Sequence, residues 1–154
     1  MEYIEFQTRG TNCFPVAVYN CFIFLGLTPP SIDYMTDLAK CIKYKRTIFK
    51  DRFLKYFKEL HLEKVKNMEV LKTAGIIRLT WPNNGKNCYG KYHTFFIRYE
   101  HDNIFKMYNS SIQHDKTELN GVKHLDDTTF KIVDQNKFNS FYSLNKMMGW
   151  RLIY

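Results

Sequence analysis

The sequence predicts an α+β fold, with helices first and an antiparallel sheet second. Three observations predict it. The stretch "NCFPVAVYNCFIFLG" (12 to 26) is apolar at almost every position and carries signals for a helix start and stop. Segments such as "HTFFIRYE" (93 to 100) and "NIFKMYNS" (103 to 110) are instead rich in aromatic and β-branched residues, which suit a pleated surface. The two kinds of segment are segregated along the chain rather than alternating, which is the pattern of α+β rather than of α/β. At 154 residues, with 45% hydrophobic and 17% aromatic content, the chain reads as one domain over 1 to 154, able to bury a sizeable core.

The elements follow in order. Asn12 suits an N-cap, Pro15 falls in the first turn where its missing N–H costs little, and Gly26 closes a helix over 12 to 25. "TPPS" (28 to 31) is a break, after which Ser31 and Asp33 start a second helix over 32 to 44. A third covers 47 to 60, and "NMEVLKTAG" (67 to 75) reads as a short helix ended by Gly75. "IIRLTW" (76 to 81) is a strand, halted by Pro82 and the loop "NNGKNCYGK" (83 to 91). Strands at 93 to 100, 103 to 110 and 128 to 134 come next, then a helix over 136 to 148 and a last strand at 150 to 154. The helical and sheet halves are expected to pack face to face, with their seam as the cleft.

Composition narrows the function classes. The start "MEYIEFQTRG" lacks the basic and apolar regions of a signal peptide, and no run approaches the roughly 18 apolar residues of a membrane span. A soluble cytoplasmic protein with no membrane partner is expected. Cys13, Cys21, Cys41 and Cys88 show no zinc-type spacing, so reduced thiols are expected. The 23 Lys and Arg against 15 Asp and Glu give a formal +8, which allows nucleic acid or an acidic protein as a partner. Nucleic acid is not favoured, because the densest basic stretch, "KCIKYKRTIFKDRFLKYFK" (40 to 58), interleaves its charges with Ile, Phe, Leu and Tyr at helical spacing. That pattern reads as the solvated face of an amphipathic helix.

The chemistry centres on Cys13. A thiol at a helix start faces unpaired N–H groups and the positive end of the helix dipole, both of which stabilise a thiolate. A nucleophile of this kind needs a base. Of His61, His93, His101, His114 and His124, only His93 opens a strongly apolar strand just after a Gly-rich loop. A three-residue loop at 100 to 102 would set Tyr99 opposite Asn103 and His93 opposite Asn109, close enough for an amide to fix the imidazole tautomer. Phe95, Ile97, Tyr99, Phe105 and Met107 then share one core-facing side, whereas a two-residue loop shifts the register by one. Cys21 and Cys41 read as packing thiols. Cys88 with His93 makes a poor metal pair without further ligands. Asp102 reads as a turn residue, Asp115 competes weakly with Asn109, and Trp81 and Trp150 read as packing.

These residues resemble the papain-like cysteine peptidases, and within them the branch of the bacteriocin-processing (double-glycine leader) peptidases. The resemblance lies in Gln-x5-Cys at Gln7 to Cys13, in the Cys-x-Pro-x-Ala helix ending in Leu-Gly, and in "YHTFFIRYEHDNIFKMYNSS" (92 to 111), and it spans nearly the whole chain in order. It implies a papain-like fold in which Cys13 attacks a carbonyl, His93 activates it and Asn109 orients His93. Gln7 would donate its amide to the oxyanion alongside a backbone N–H. No metal or organic cofactor is called for. Phe14 stands where relatives often have Gly, and Asn109 where many have Asp. The implied activity is hydrolysis of a peptide or isopeptide bond in a peptide or protein substrate, with amidase, deamidase and acyl-transfer chemistry open to the same triad. Two readings from other classes stand beside it: a basic binding module, and an effector or inhibitor whose relic cleft holds a partner without cleaving it.

Overall fold

A helix that is apolar around its whole circumference is stable in water only when covered on every side. The first helix, α1 (Cys13–Phe24), is of this kind, and Phe14 to Val18, Asn20, Cys21 and Phe22 are all buried. The structure is a computed structural model that describes residues 2–5, 13–43, 49–65, 71–80, 92–108, 121–126, 128–144 and 148–154. It covers α1 with a sheet and with two further helices, α2 (Ile32–Lys43) and α3 (Phe49–Leu54). The strands are β1 (Leu62–Val65), β2 (Ala74–Thr80), β3 (Tyr92–His101), β4 (Ile104–Tyr108), β5 (Val122–His124), β6 (Thr129–Ile132) and β7 (Met148–Leu152), with α4 (Gln135–Leu144) before β7. Among the described residues they form one seven-stranded sheet in the order β1-β7-β2-β3-β4-β6-β5, every neighbouring pair antiparallel.

Strand alternation divides the core in two. On the α1 side, Trp150, Ile76, Phe96 and Tyr108 lie opposite one another across β7, β2, β3 and β4. They form a ridge that packs with Phe14, Ala17, Val18, Cys21 and Phe22 of α1 and with Met35, Phe53 and Phe57. Phe14 meets Phe53 and Trp150 edge-on at 5.3 and 6.1 Å, and Phe22 meets Phe57 at 6.1 Å. On the other side Ile77, Phe95, Ile97, Phe105, Met107, Phe130 and Ile132 gather around Leu71 and Phe138 of α4. Phe95, Ile97, Tyr99, Phe105 and Met107 share that face, as the alternation predicts.

The helix ends are where the capping residues put them. Gly26 (φ +71°) lets its N–H reach the Ile23 carbonyl at 3.0 Å and the Leu27 N–H reach the Phe22 carbonyl at 2.9 Å, which closes α1 in a Schellman turn. Ser31 Oγ accepts the Tyr34 N–H at 3.1 Å at the start of α2. The described part of the basic stretch of 40 to 58 is shared between the end of α2, α3 and the turns that follow; Ile42, Phe53 and Phe57 are buried while Lys40, Lys55 and Lys58 are exposed.

Several expectations need correction. The third helix, described over Phe49–Leu54, ends earlier than the expected residue 60, with turns over 55, 56, 58 and 59. Gly75 does not end a helix: it is the second residue of β2, paired with Ile97 and Arg151. β1 and β5 were not expected; they are the two edge strands, short and carrying Glu63, Lys64 and Lys123, which suits edges that must resist further pairing. The β3–β4 connection is a two-residue turn at Asp102 and Asn103, both at positive φ (49° and 61°), not a three-residue loop. A register shift between Tyr99 and His101 compensates in part, so Tyr99 lies opposite Phe105 instead of Asn103. The extra residue restores the face parity that a two-residue loop alone would invert.

A Cβ on Gly75 would collide with the Trp150 carbonyl oxygen and come within 2.6 Å of Leu71 Cδ2. Because a paired strand carbonyl has little freedom to retreat, Gly75→Ala should destabilise the fold by about 3 kcal/mol. At Gly26 an added Cβ meets nothing within 4 Å and only the backbone strain remains, so Gly26→Ala should cost about 1 kcal/mol. Urea unfolding of the two variants against the parent measures the difference.

Candidate active site

Cys13 is the first residue of α1 and is half-buried, so its sulfur belongs to the helix end where the first N–H groups lack intrahelical partners. The following side chain, Phe14, is 3% exposed and turned into the core against Phe53 and Trp150. The bulk of Phe14 is therefore absorbed by the interior. The other described thiols differ from Cys13: Cys41 is exposed near the end of α2, and Cys21 is fully buried. Burial pushes the Cys21 thiol up, which keeps it protonated and inert.

His93 is the second residue of β3, with its backbone paired to Leu79 of β2; its side chain lies outside the described residues. Gln7, Asn109, Cys88, His114 and Asp115 lie outside them as well. The expected direct opposition of His93 and Asn109 rested on Tyr99 facing Asn103, and the observed pairing of Tyr99 with Phe105 moves that register by two residues. The pairing of β3 with β4 is described as far as Tyr108 opposite Phe96, and Asn109 lies beyond it, outside the described residues. α1 packs chiefly on β3, and its C-terminal Phe24 meets Phe96 and Tyr154, the latter beyond the end of β7. At its start, Phe14 meets Trp150 of β7.

One feature of the site's scaffold escaped the sequence reading. Asn20, 0% exposed in the middle of α1, accepts the Ile4 N–H on Oδ1 at 2.8 Å and donates from Nδ2 to the Ile4 carbonyl at 3.0 Å. Tyr3 stacks on Tyr108 at 4.5 Å and on Phe96 at 5.9 Å, and Glu5 pairs with Lys106 at 3.3 Å. An asparagine inside an otherwise apolar helix was the signal available for it.

The other described histidines belong to other elements of the fold. His101 is exposed at the β3–β4 turn, 3.3 Å from Asp102, while His61 precedes β1 and accepts the Ile153 N–H on its carbonyl at 2.8 Å. His124 belongs to the edge strand β5. A pocket of about 360 Å³ lies between α2 and α3, lined by Leu38, Cys41, Ile42, Arg52, Lys55 and Tyr56. Among the described residues no group of three or more His, Cys, Asp or Glu is placed to hold a metal ion, and no helix is long and apolar enough to cross a membrane.

The apolar helix laid against an antiparallel sheet gives the α+β architecture of a papain-like fold. Among solved structures it is similar to the peptidase domain of Streptococcus ComA, a bi-functional ABC transporter involved in a quorum sensing pathway. The likeness covers 96% of each chain with a TM-score of 0.55 and 14% identity, and is one of fold. No protein-family model matches the sequence, and no curated protein matches it by sequence.

The sealed Cys21 has a measurable consequence. Its thiol is raised in the folded state above its unfolded value, so stability is full below the unfolded thiol's range and falls as pH rises through it. Above about pH 9 the parent should lose about 1.4 kcal/mol of unfolding free energy per pH unit more than Cys21→Ala does. Urea unfolding of both proteins across alkaline pH reads that difference.

Proposed function

We propose that the protein is a cysteine peptidase that hydrolyses a peptide or isopeptide bond through a thioester acyl-enzyme, with Cys13, His93, Asn109 and Gln7 as its machinery. The observation that carries this reading is Cys13 itself, a half-exposed thiol opening the central helix of a papain-like fold while Cys21 on the same helix is sealed. In the first half-reaction the Cys13 sulfur bonds to the carbonyl carbon and His93 takes the thiol proton. His93 then gives that proton to the leaving nitrogen as the C–N bond breaks, which leaves a thioester. In the second half-reaction water attacks the thioester, His93 takes its proton, and the C–S bond breaks to release the acid and restore the thiol. Asn109 would hold the His93 tautomer, and the Gln7 amide with a backbone N–H near Cys13 would stabilise the oxyanion in both halves. Amide and deamidation substrates share the acylation step.

Iodoacetamide labelling followed by peptide mass spectrometry tests the central pair. At about pH 6 Cys13 should label far faster than Cys41, and His93→Ala should abolish that advantage. If Cys13 labels no faster than an ordinary thiol, the enzyme reading fails and the basic binding reading takes its place. For turnover, Cys13→Ala should remove activity, and Gln7→Ala should lower kcat by about a hundredfold or more, the usual cost of one oxyanion donor.

A further inference from the structure

α2 and α3 carry two stripes of the same helical spacing. Leu38, Cys41 and Ile42 stand at i, i+3 and i+4 on α2, and Arg52, Lys55 and Tyr56 repeat that spacing across the end of α3 and the turn after it. In that turn the Lys55 N–H reaches the Arg52 carbonyl at 3.2 Å and the Tyr56 N–H the Phe53 carbonyl at 3.1 Å, a tighter winding that stacks side chains three residues apart. Both stripes line the pocket of about 360 Å³, a size within the range of small-molecule sites. Its two walls differ in kind. Ile42 is buried and Leu38 packs against the same core cluster, which makes the α2 wall apolar. The α3 wall carries two cations, and none of the described residues lining the pocket is acidic.

The charge on that wall is unbalanced. A half-buried guanidinium is costly to leave unpaired, because it gives up water without gaining an acid. Two other half-buried arginines have one: Arg98 meets Glu100 at 2.9 Å and Arg151 meets Glu63 at 3.0 Å. Among the described residues the side chain of Arg52, also half-buried, has no hydrogen bond or ion pair, and Lys55 has none either. A negative group between them would satisfy both. The apolar wall then sets the rest of the ligand: a hydrated polyanion gains nothing from Leu38 and Ile42, whereas a hydrocarbon or aromatic body does. We propose that this pocket binds a small organic acid with an apolar body, its carboxylate held by Arg52 and Lys55 and its body laid on Leu38 and Ile42. The site shares no residue with the peptidase machinery proposed around Cys13, so each reading stands or falls without the other.

Cys41 belongs to the apolar stripe and its thiol is exposed, so its alkylation reports whether the pocket is filled. The probe is sodium octanoate, added to the full chain at neutral pH, with iodoacetamide labelling of Cys41 read by peptide mass spectrometry. Octanoate at about ten times its half-protecting concentration should slow Cys41 labelling about tenfold. Octanol and octylamine, of the same length without the negative charge, should protect far less, and so should acetate, which keeps the charge and lacks the body. Arg52→Gln with Lys55→Gln should raise the octanoate concentration needed by about tenfold or more, the usual worth of charge-assisted contacts. An unchanged thermal unfolding curve shows that this variant is folded, and Lys55→Gln alone, at an exposed position, should shift the concentration in the same direction. Labelling of Cys41 that octanoate leaves unchanged overturns the proposal. Equal protection by octanol, or undiminished protection in the folded double variant, overturns it as well.

Discussion

The ridge of Trp150, Ile76, Phe96 and Tyr108 is the interaction on which the rest of the molecule depends. Four strands contribute one side chain each, and the register that aligns them makes a continuous apolar surface as broad as α1 requires. Without it a helix as apolar as Cys13–Phe24 has nowhere to go. With it, the helix is pinned along its length, by Phe14 on Trp150 at one end and Phe24 on Phe96 at the other. The cysteine that opens the helix inherits its position from that packing.

The same ridge explains a backbone detail. Trp150 presents its bulk to α1 while its carbonyl crowds the β2 backbone at Gly75, so the neighbouring strand has no room for a Cβ there. A glycine that resembles a helix terminator in the sequence is in fact required by the close approach of two strands. Gly26, by contrast, is what it seems, a residue whose positive φ ends α1.

Much of the fold was legible because the apolar pattern and the caps agree. α1 stops and α2 starts where Gly26 and Ser31 say, and β3 and β4 declare themselves by aromatic and β-branched content. β1 and β5 were illegible for a physical reason: as edge strands of four and three residues they carry charge in place of a hydrophobic face. The hairpin turn was misjudged because Asp102 and Asn103 adopt the left-handed conformation that glycine usually signals. Cys13 was legible as the residue at a helix mouth. Asn20 was not, because a buried polar side chain reveals its partner only when the distant segment it binds is in view.

The place of β7 between β1 and β2 bears on how the chain matures. Among the described strands β1 pairs with β7 alone, so Leu62 waits for Leu152 to be synthesised before it gains this ladder partner. Until then one edge of β2 is bare, the ridge lacks Trp150, and α1 has only part of its cover. The full cover of α1, and with it the surroundings of Cys13, is therefore completed only after β7 has been synthesised.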